Sequence, residues 1–415
     1  MTEQQPAPLE ALDGLPGIRP GLADLYRDLH AHPELSFEET RTAAEAARRA
    51  RALGYEVTEE VGRTGVVATL DNGTGPTVLL RADFDALPVQ ERTGLDYAST
   101  VDGVMHACGH DMHVTCLLGT LHLLADARAR WSGRIVAVFQ PAEEIAQGAQ
   151  AMIDDNFFDR FGRPDIVLGQ HVGPLPAGTV GWHAGPSFAA ADSLDVVLHG
   201  KGAHGSRPEA AIDPVVMAAA TVLRLQTVVA REVAGSETAV LTVGALQAGT
   251  QANIIPDRAE LKVNIRTYDE ATRARVLAAV NRIVRAEATA SGAEQEPEIR
   301  EFDRFPVLTN DPEATDRTVT ALRAVLGAER VFDMGRVTGS EDVGLFATTA
   351  EVPICYWMFG GLDPDRMAAA AEAGTTERDI PSNHSPFFAP LVEPTITTGV
   401  TALTTAALAW LEAAK

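Results

Sequence analysis

The chain is poor in cysteine, in positive charge and in long apolar runs. Three cysteines, Cys108, Cys116 and Cys355, are spread over 415 residues. An odd and sparse set argues against a disulfide framework and leaves thiol ligand chemistry open. Lys and Arg number 34 against 57 Asp and Glu, a formal net charge of −23. A chain without a basic footprint suits neither nucleic acid nor an anionic membrane surface. No apolar run approaches the ~18 residues of a membrane span, and the opening MTEQQPAPLE lacks the basic-then-apolar order of a secretory signal. The expectation from these absences is a cytoplasmic protein with a short disordered leader.

What is present is core-forming material. A 46% hydrophobic fraction over 415 residues is more than one ordinary core holds, so two domains are expected. Helical patterns at Gly21 to His32 and Phe37 to Leu53, broken at Pro33, lead into short apolar runs that alternate with helices: VVATL, TVLLRADF, a helix from Asp111, RIVAVF, a helix near Gly148, and DIVLGQH. That alternation predicts an α/β domain with a largely parallel sheet covered on both faces. From Phe188 the order becomes β-α-β-β-α-β, the split unit of ferredoxin-like α+β domains. After Asp303 the α/β texture resumes. The expected organisation is a discontinuous domain, 1–187 and 304–415, interrupted by an inserted domain, 188–303. Gly361 to Asn383 reads as a polar Ala- and Gly-rich loop.

Several apolar strands end in residues that carry chemistry. TVLLRADFD ends in Asp83 and Asp85, RIVAVFQPAEE in Glu143 and Glu144, and DIVLGQH in His171, while ICYWMFGG ends in a glycine pair and leads towards His384. In a parallel sheet these ends open on one edge, beside the run GVMHACGHDMHVTCLLG, where a glycine between Cys108 and His110 lets both side chains converge. Thiolate, imidazole and carboxylate together suit a borderline divalent metal. Cys108, His110, Glu144, His171 and His384 are more ligands than one tetrahedral ion needs, so two ions sharing a sulfur or a water fit better. Glu143 is then left over beside the site as a general base and acid. Singly, each signal has a plainer reading. Glu143 and Glu144 alone would be a solvated pair favoured by a helix dipole. His30, His32, His106, His113, His122, His183 and His199 read as hydrogen-bonded or surface histidines, and Cys116 and Cys355 as small core residues.

RADFDALPVQE, MHACGHDMH, FQPAEE, GQHV, GKGAHGSRP, NIIPDRAEL, TGSEDVG and NHSP together resemble the aminoacylase and carboxypeptidase type of metallohydrolase. The likeness is to its amidohydrolase branch of hippurate hydrolases, auxin-conjugate hydrolases and N-acyl-amino-acid amidohydrolases. The resemblance implies a metallopeptidase domain with a ferredoxin-like lid and dimerisation domain. It implies two divalent ions per subunit, zinc or manganese, with cobalt or nickel as alternatives. Cys108 would bridge them, with Glu144 and His384 on one and His110 and His171 on the other, while Asp83 and Asp85 orient ligands. His204 would stabilise an oxyanion in the partner subunit's site, and Asn253 and Arg266 would hold a substrate carboxylate.

The expected activity is hydrolysis of N-acyl amino acids. A dipeptidase or carboxypeptidase is the alternative, and a non-catalytic ligand-binding member of the fold ranks below both.

Overall fold

The computed structural model describes residues 10–413. The expected leader falls on residues 1–9, outside them. The chain divides into two compact units, one of Met1–Gly185, Thr309–Gly335 and Asp342–Lys415, the other of Pro186–Leu308 and Arg336–Glu341. The hexapeptide Arg336–Glu341, placed by the sequence with the flanking segments, clusters with the second unit. Its backbone is captured there, by Ser187 O accepting the Val337 N–H and by Gly339 O accepting the Ala189 N–H.

The first unit is built on a nine-stranded sheet. Its main path runs Glu56–Val61, Gly65–Asn72, Trp131–Gln140, Thr77–Asp83, Ile166–Pro176, Ile354–Leu362, Val180–Trp182 and Val331–Asp333. The four central strands are mutually parallel, while Gly65–Asn72 and Glu56–Val61 run antiparallel at one side. Continuous apolar runs suit strands covered on both faces. Ile354–Leu362 is buried at every position, as is Thr77–Asp83 after its first residue. Register does the positioning: Asp83 pairs with Gln140, Arg81 with Gly169, and His171 with Met358. Asp83, Gln140, His171 and Met358 therefore stand level across four parallel strands, the first two at the carboxyl ends of their strands and the other two within longer ones.

Where a loop was expected between Gly361 and Asn383, the chain forms the helix Pro364–Ala373 and the short helix Thr376–Asp379. Asp363 caps the first through the Arg366 N–H at 2.9 Å, and Gly374 closes it in the left-handed conformation. The Asp-Pro start and glycine stop are legible helix signals that the alanine-rich, polar composition obscured.

The second unit has a four-stranded antiparallel sheet in the order Ala239–Ala248, Arg258–Thr267, Ala190–His199, Glu298–Phe305. The helices Pro214–Glu232 and Glu270–Ala290 pack against it through Met217, Leu225, Val228, Val276, Val280 and Val284. This is the ferredoxin-like arrangement. Contrary to the expectation that no apolar run approaches membrane length, Pro214–Glu232 holds an 18-residue window of mean hydropathy 1.2. Its buried residues recur on one face, from Met217 and Ala218 through Thr221 and Leu225 to Val228, the spacing of a helix lying on a sheet.

Among the described residues of this unit, the Arg273–Asp192 ion pair has both partners buried. Arg273 donates from Nε to Asp192 Oδ2 at 2.8 Å and from Nη2 to Oδ1 at 2.6 Å. Asp192→Ala would leave the buried guanidinium with only the exposed Glu270, 3.1 Å from Nη1, as an acidic partner, so the expected loss is about 3 kcal/mol. Denaturant unfolding checks this, and Asp192→Ala combined with Arg273→Met should recover part of it.

Candidate metal centre

Each candidate donor is brought in by a different device. Cys108 ends the loop before the helix His110–Asp126, and Gly109 between Cys108 and His110 has φ +85°. A side chain at Gly109 would meet Val172 Cγ1 at 2.4 Å, so both the backbone conformation and the space demand glycine. Glu143 and Glu144 follow the strand Trp131–Gln140, and the Asp85 carboxylate fixes them. Asp85 Oδ1 accepts the Glu143 N–H at 3.1 Å and Oδ2 the Glu144 N–H at 3.0 Å. His171 lies within the strand Ile166–Pro176. His384, at φ +69°, is held by its N–H donating to Ala107 O at 2.8 Å.

The donor atoms fall into two groups that share a sulfur. Those of Cys108, His110 and His171 lie within 4.8 Å of one another, and so do those of Cys108, Glu144 and His384. Glu143 groups with His110 and Glu144 by the same measure. Cys108 Sγ is 3.5 Å from His171 Nε2, and His384 Nε2 is 3.3 Å from Glu144 Oε2. His171 Nδ1 donates to Val172 O at 2.7 Å, which leaves Nε2 with its lone pair towards the thiol. His113 has no nitrogen to spare: Nε2 accepts the Val172 N–H at 2.8 Å and Nδ1 donates to Asp83 Oδ1 at 2.5 Å. It is the supporting histidine that the sequence suggested.

The residues fit a cation. His110 is buried, with Nδ1 3.3 Å from Asp85 Oδ1, and among the described residues its Nε2 has no hydrogen-bond partner, nor does the buried Glu144 Oε1. His110 Nε2 and Glu144 Oε1 face each other across 3.8 Å. Buried polar atoms in this state call for a ligand. The charge balance agrees. Burial alone would lower the pKa of His110, but Asp83, Asp85 and Glu144 outweigh it and raise it to about 10. Burial, reinforced by Glu144 and Glu143, pushes the Cys108 thiol well up. A divalent ion would relieve both, taking the place of the proton on each.

Sequence reasoning missed two supports. Arg81, buried in an apolar strand, donates to Asp83 Oδ2 at 2.5 Å, to Gln140 Oε1 at 2.8 Å and to Asp342 Oδ1 at 3.0 Å. Burial would raise the pKa of Asp83, yet Arg81, His110 and His113 hold it well below the usual carboxylate range. Asn383 donates to Cys108 O at 3.0 Å and Val172 O at 3.2 Å, tying the His384 loop to two donor segments. His106, expected to be a hydrogen-bonded or surface histidine, is instead buried with neither nitrogen bonded among the described residues. The signal for Arg81 was there to read, since a charge inside an apolar strand requires a partner.

The remaining candidates lie in the second unit. His204 sits on the two-residue strand Ala203–His204, paired with Ile254–Ile255, and Asn253 O accepts the Gly205 N–H at 2.8 Å, so His204 and Asn253 are neighbours. His204 is exposed, and its Nδ1 accepts the Ser206 N–H at 3.1 Å, which directs the ring proton to Nε2. Arg266 lies on the main sheet of that unit, in the strand Arg258–Thr267. It donates to Asn264 Oδ1, Thr338 O and Ser340 Oγ and forms no ion pair among the described residues.

Residues 79–384 match the model of Peptidase family M20/M25/M40. The hippurate hydrolase of Campylobacter jejuni is 38% identical over 338 residues, 81% of this chain and 86% of that protein. Thermostable carboxypeptidase 1 of Saccharolobus solfataricus is 37% identical over 348 residues, 83% of this chain and 86% of its own. Among solved structures, a dinuclear metal binding peptidase from the M20 family of Bacillus subtilis superposes with a TM-score of 0.75 at 32% identity, covering 95% of this chain and 98% of that one.

Next to the donor loop, His30 is buried between two carboxylates, Asp111 Oδ2 at 2.6 Å and Glu91 Oε1 at 3.3 Å. Burial alone would lower its pKa, but Asp111 and then Glu91 raise it from 6.5 to about 10. A raised folded-state pKa gives stability that is full below the unfolded value and is lost as pH climbs through the folded one. The advantage of the wild type over His30→Gln, measured by denaturant unfolding of metal-free protein, should therefore shrink between about pH 6 and about pH 10. A constant or growing advantage would contradict the buried imidazolium.

Proposed function

The chain belongs to peptidase family M20/M25/M40, and within it we propose that this hydrolase cleaves the amide bond of N-acyl amino acids, hippurate-like substrates included, to a carboxylic acid and a free amino acid. The observation that carries this reading is the pair of donor groups sharing Cys108, with Glu143 beside them. Cys108, Glu144 and His384 would hold one divalent ion and Cys108, His110 and His171 the other, as zinc or manganese, with cobalt or nickel as alternatives. When bound, the ions polarise the acyl carbonyl and acidify water.

The chain's own groups do the rest. Glu143, whose carboxylate groups with the donor atoms of His110 and Glu144, takes a proton from the attacking water and returns it to the departing nitrogen. His204 donates from Nε2–H to the developing oxyanion, and its Ser206 contact, which puts the proton on that nitrogen, supports this role. Asn253 and Arg266 hold the amino acid carboxylate, for which a guanidinium with no acidic partner is suited. Similarity to a carboxypeptidase favours a second reading, a peptidase acting on substrates with a free amine.

A homodimer through the second unit is part of the proposal, with His204 serving the partner's site. The sheet edge Ala239–Ala248 supports it, as do the exposed Leu223 (73%), Val216 (64%), Leu246 (45%) and Val240 (45%). Exposed apolar sheet edges of this kind invite pairing.

Glu143→Ala should keep its metal content by elemental analysis and lose turnover by about 10²- to 10⁴-fold; near-normal turnover would sink the mechanism. In a screen of N-acyl amino acids against unblocked dipeptides, the acylated compounds should be preferred, and the opposite preference would establish the second reading. Light scattering should give a dimer, which Leu223→Glu with Val240→Lys should dissociate.

A further inference from the structure

The segment Glu34–Glu39 has no part in the chemistry above, yet it touches both acid-bearing turns of the centre. The Ala86 N–H donates to Glu34 O at 2.8 Å, and Leu35 forms a parallel bridge with Ala86. Ser36 Oγ donates to Asp85 Oδ2 at 2.7 Å, on the oxygen that also receives the Glu144 N–H. Glu39 is fully buried. Its Oε1 accepts the Ala142 N–H at 2.9 Å and its Oε2 the Thr64 hydroxyl at 2.5 Å. Thr64 lies in the turn between the strands Glu56–Val61 and Gly65–Asn72. That turn is pressed against the same region: a Cβ on Gly65 would lie 3.1 Å from Pro141 Cδ, and one on Gly62 2.5 Å from Met152 N.

The residue that Glu39 grips is strained. Ala142 has φ +47°, in the left-handed region that alanine rarely visits, and Phe37, two residues before Glu39, has φ +63°. Such conformations persist only where their surroundings over-determine them. Ala142 directly precedes Glu143, so its backbone sets the direction in which Glu143 and Glu144 leave the strand. Asp85 holds the two N–H groups after the turn, and Glu39 holds the one within it.

We propose that Glu39 is a positioning residue for Glu143 and Glu144, locking the left-handed turn at Ala142 through a carboxylate anchored to Thr64. The proposal rests on the reading of Glu143 as proton carrier and Glu144 as metal ligand. It concerns geometry rather than charge. A glutamine at this position can present its oxygen to the Ala142 N–H and its amide protons to the Thr64 hydroxyl, which can also accept. An alanine can do neither.

The experiment compares wild type, Glu39→Ala, Glu39→Gln and Thr64→Val, using hydrogen exchange on metal-free protein and steady-state kinetics on metal-loaded protein. In Glu39→Ala, exchange should quicken at Ala142 to Glu144 while the helix Thr395–Trp410 keeps its protection. Its kcat should fall about 10- to 100-fold, with KM within about twofold. Glu39→Gln should restore both readouts to within a few-fold of wild type. Thr64→Val, which removes one of the two donors, should reproduce the alanine pattern at smaller amplitude and serves if Glu39→Ala fails to fold. Wild-type exchange and turnover in Glu39→Ala would overturn the proposal. So would a glutamine variant as impaired as the alanine one, which would assign the role to charge, or exchange that quickens throughout the unit. An active Glu143→Ala alongside a loosened Ala142 turn in Glu39→Ala would refute the catalytic reading and leave the positioning role standing.

Discussion

The centre depends on one carboxylate that carries out none of its chemistry. Asp85 receives the N–H groups of both Glu143 and Glu144 and the hydroxyl of Ser36, and its Oδ1 lies 3.3 Å from His110 Nδ1. Two adjacent acids would otherwise repel each other and splay into solvent at the end of a strand. Tying both backbones to one acceptor fixes their direction, and the neighbouring imidazole takes its orientation from the same group. Outer contacts of this kind govern how donors present themselves to a metal.

Around that anchor the structure accumulates negative charge faster than it neutralises it. Asp83 is balanced, with Arg81 on one oxygen and His113 on the other. Asp85 and Glu144 face histidines rather than an arginine, His110 for both and His384 for Glu144, and the consequence is visible on His110, whose pKa is raised to about 10 against the pull of burial. A site that holds a proton so firmly on an imidazole is electrostatically prepared for a stronger positive charge. The two histidines turned towards backbone and Asp83 illustrate the other side of the division. His113 spends both nitrogens on structure, while His171 spends one and keeps the other facing Cys108.

The second unit is stabilised on different terms. Its core is a conventional apolar layer between two helices and an antiparallel sheet, with the Arg273–Asp192 pair as its buried charge. The histidine ribbon Ala203–His204 stands outside the main sheet, paired only with Ile254–Ile255, so His204 and Asn253 are presented together on an exposed edge. Residues presented in this way are available to a ligand in a manner that core residues are not.

Much of this was legible in the chain. Alternation of apolar strands and helices identified the parallel sheet, a change of order at Phe188 identified the ferredoxin-like unit, and the Cys-Gly-His run together with polar residues at and after strand ends named Cys108, His110, Glu144, His171 and His384 as one group. These signals are local: a period, a cap, an acid placed after a strand. They faltered where composition masked a cap, as at Asp363–Pro364, and where a six-residue strip, Arg336–Glu341, joined the unit it does not adjoin in sequence. Arg81 announced only that a buried charge needs a partner, and the supporting roles of Asn383 and Glu39 could not be read at all, because the groups that define them lie 25 to 275 residues away and depend on which buried oxygen or N–H would otherwise be left unsatisfied. Sequence by itself determined which donors exist and which strand ends carry them, since side-chain chemistry and strand periodicity are properties of neighbours along the chain. Only the tertiary structure decided which donors remain free, because register and burial, acting across distant segments, settle how each polar atom is spent.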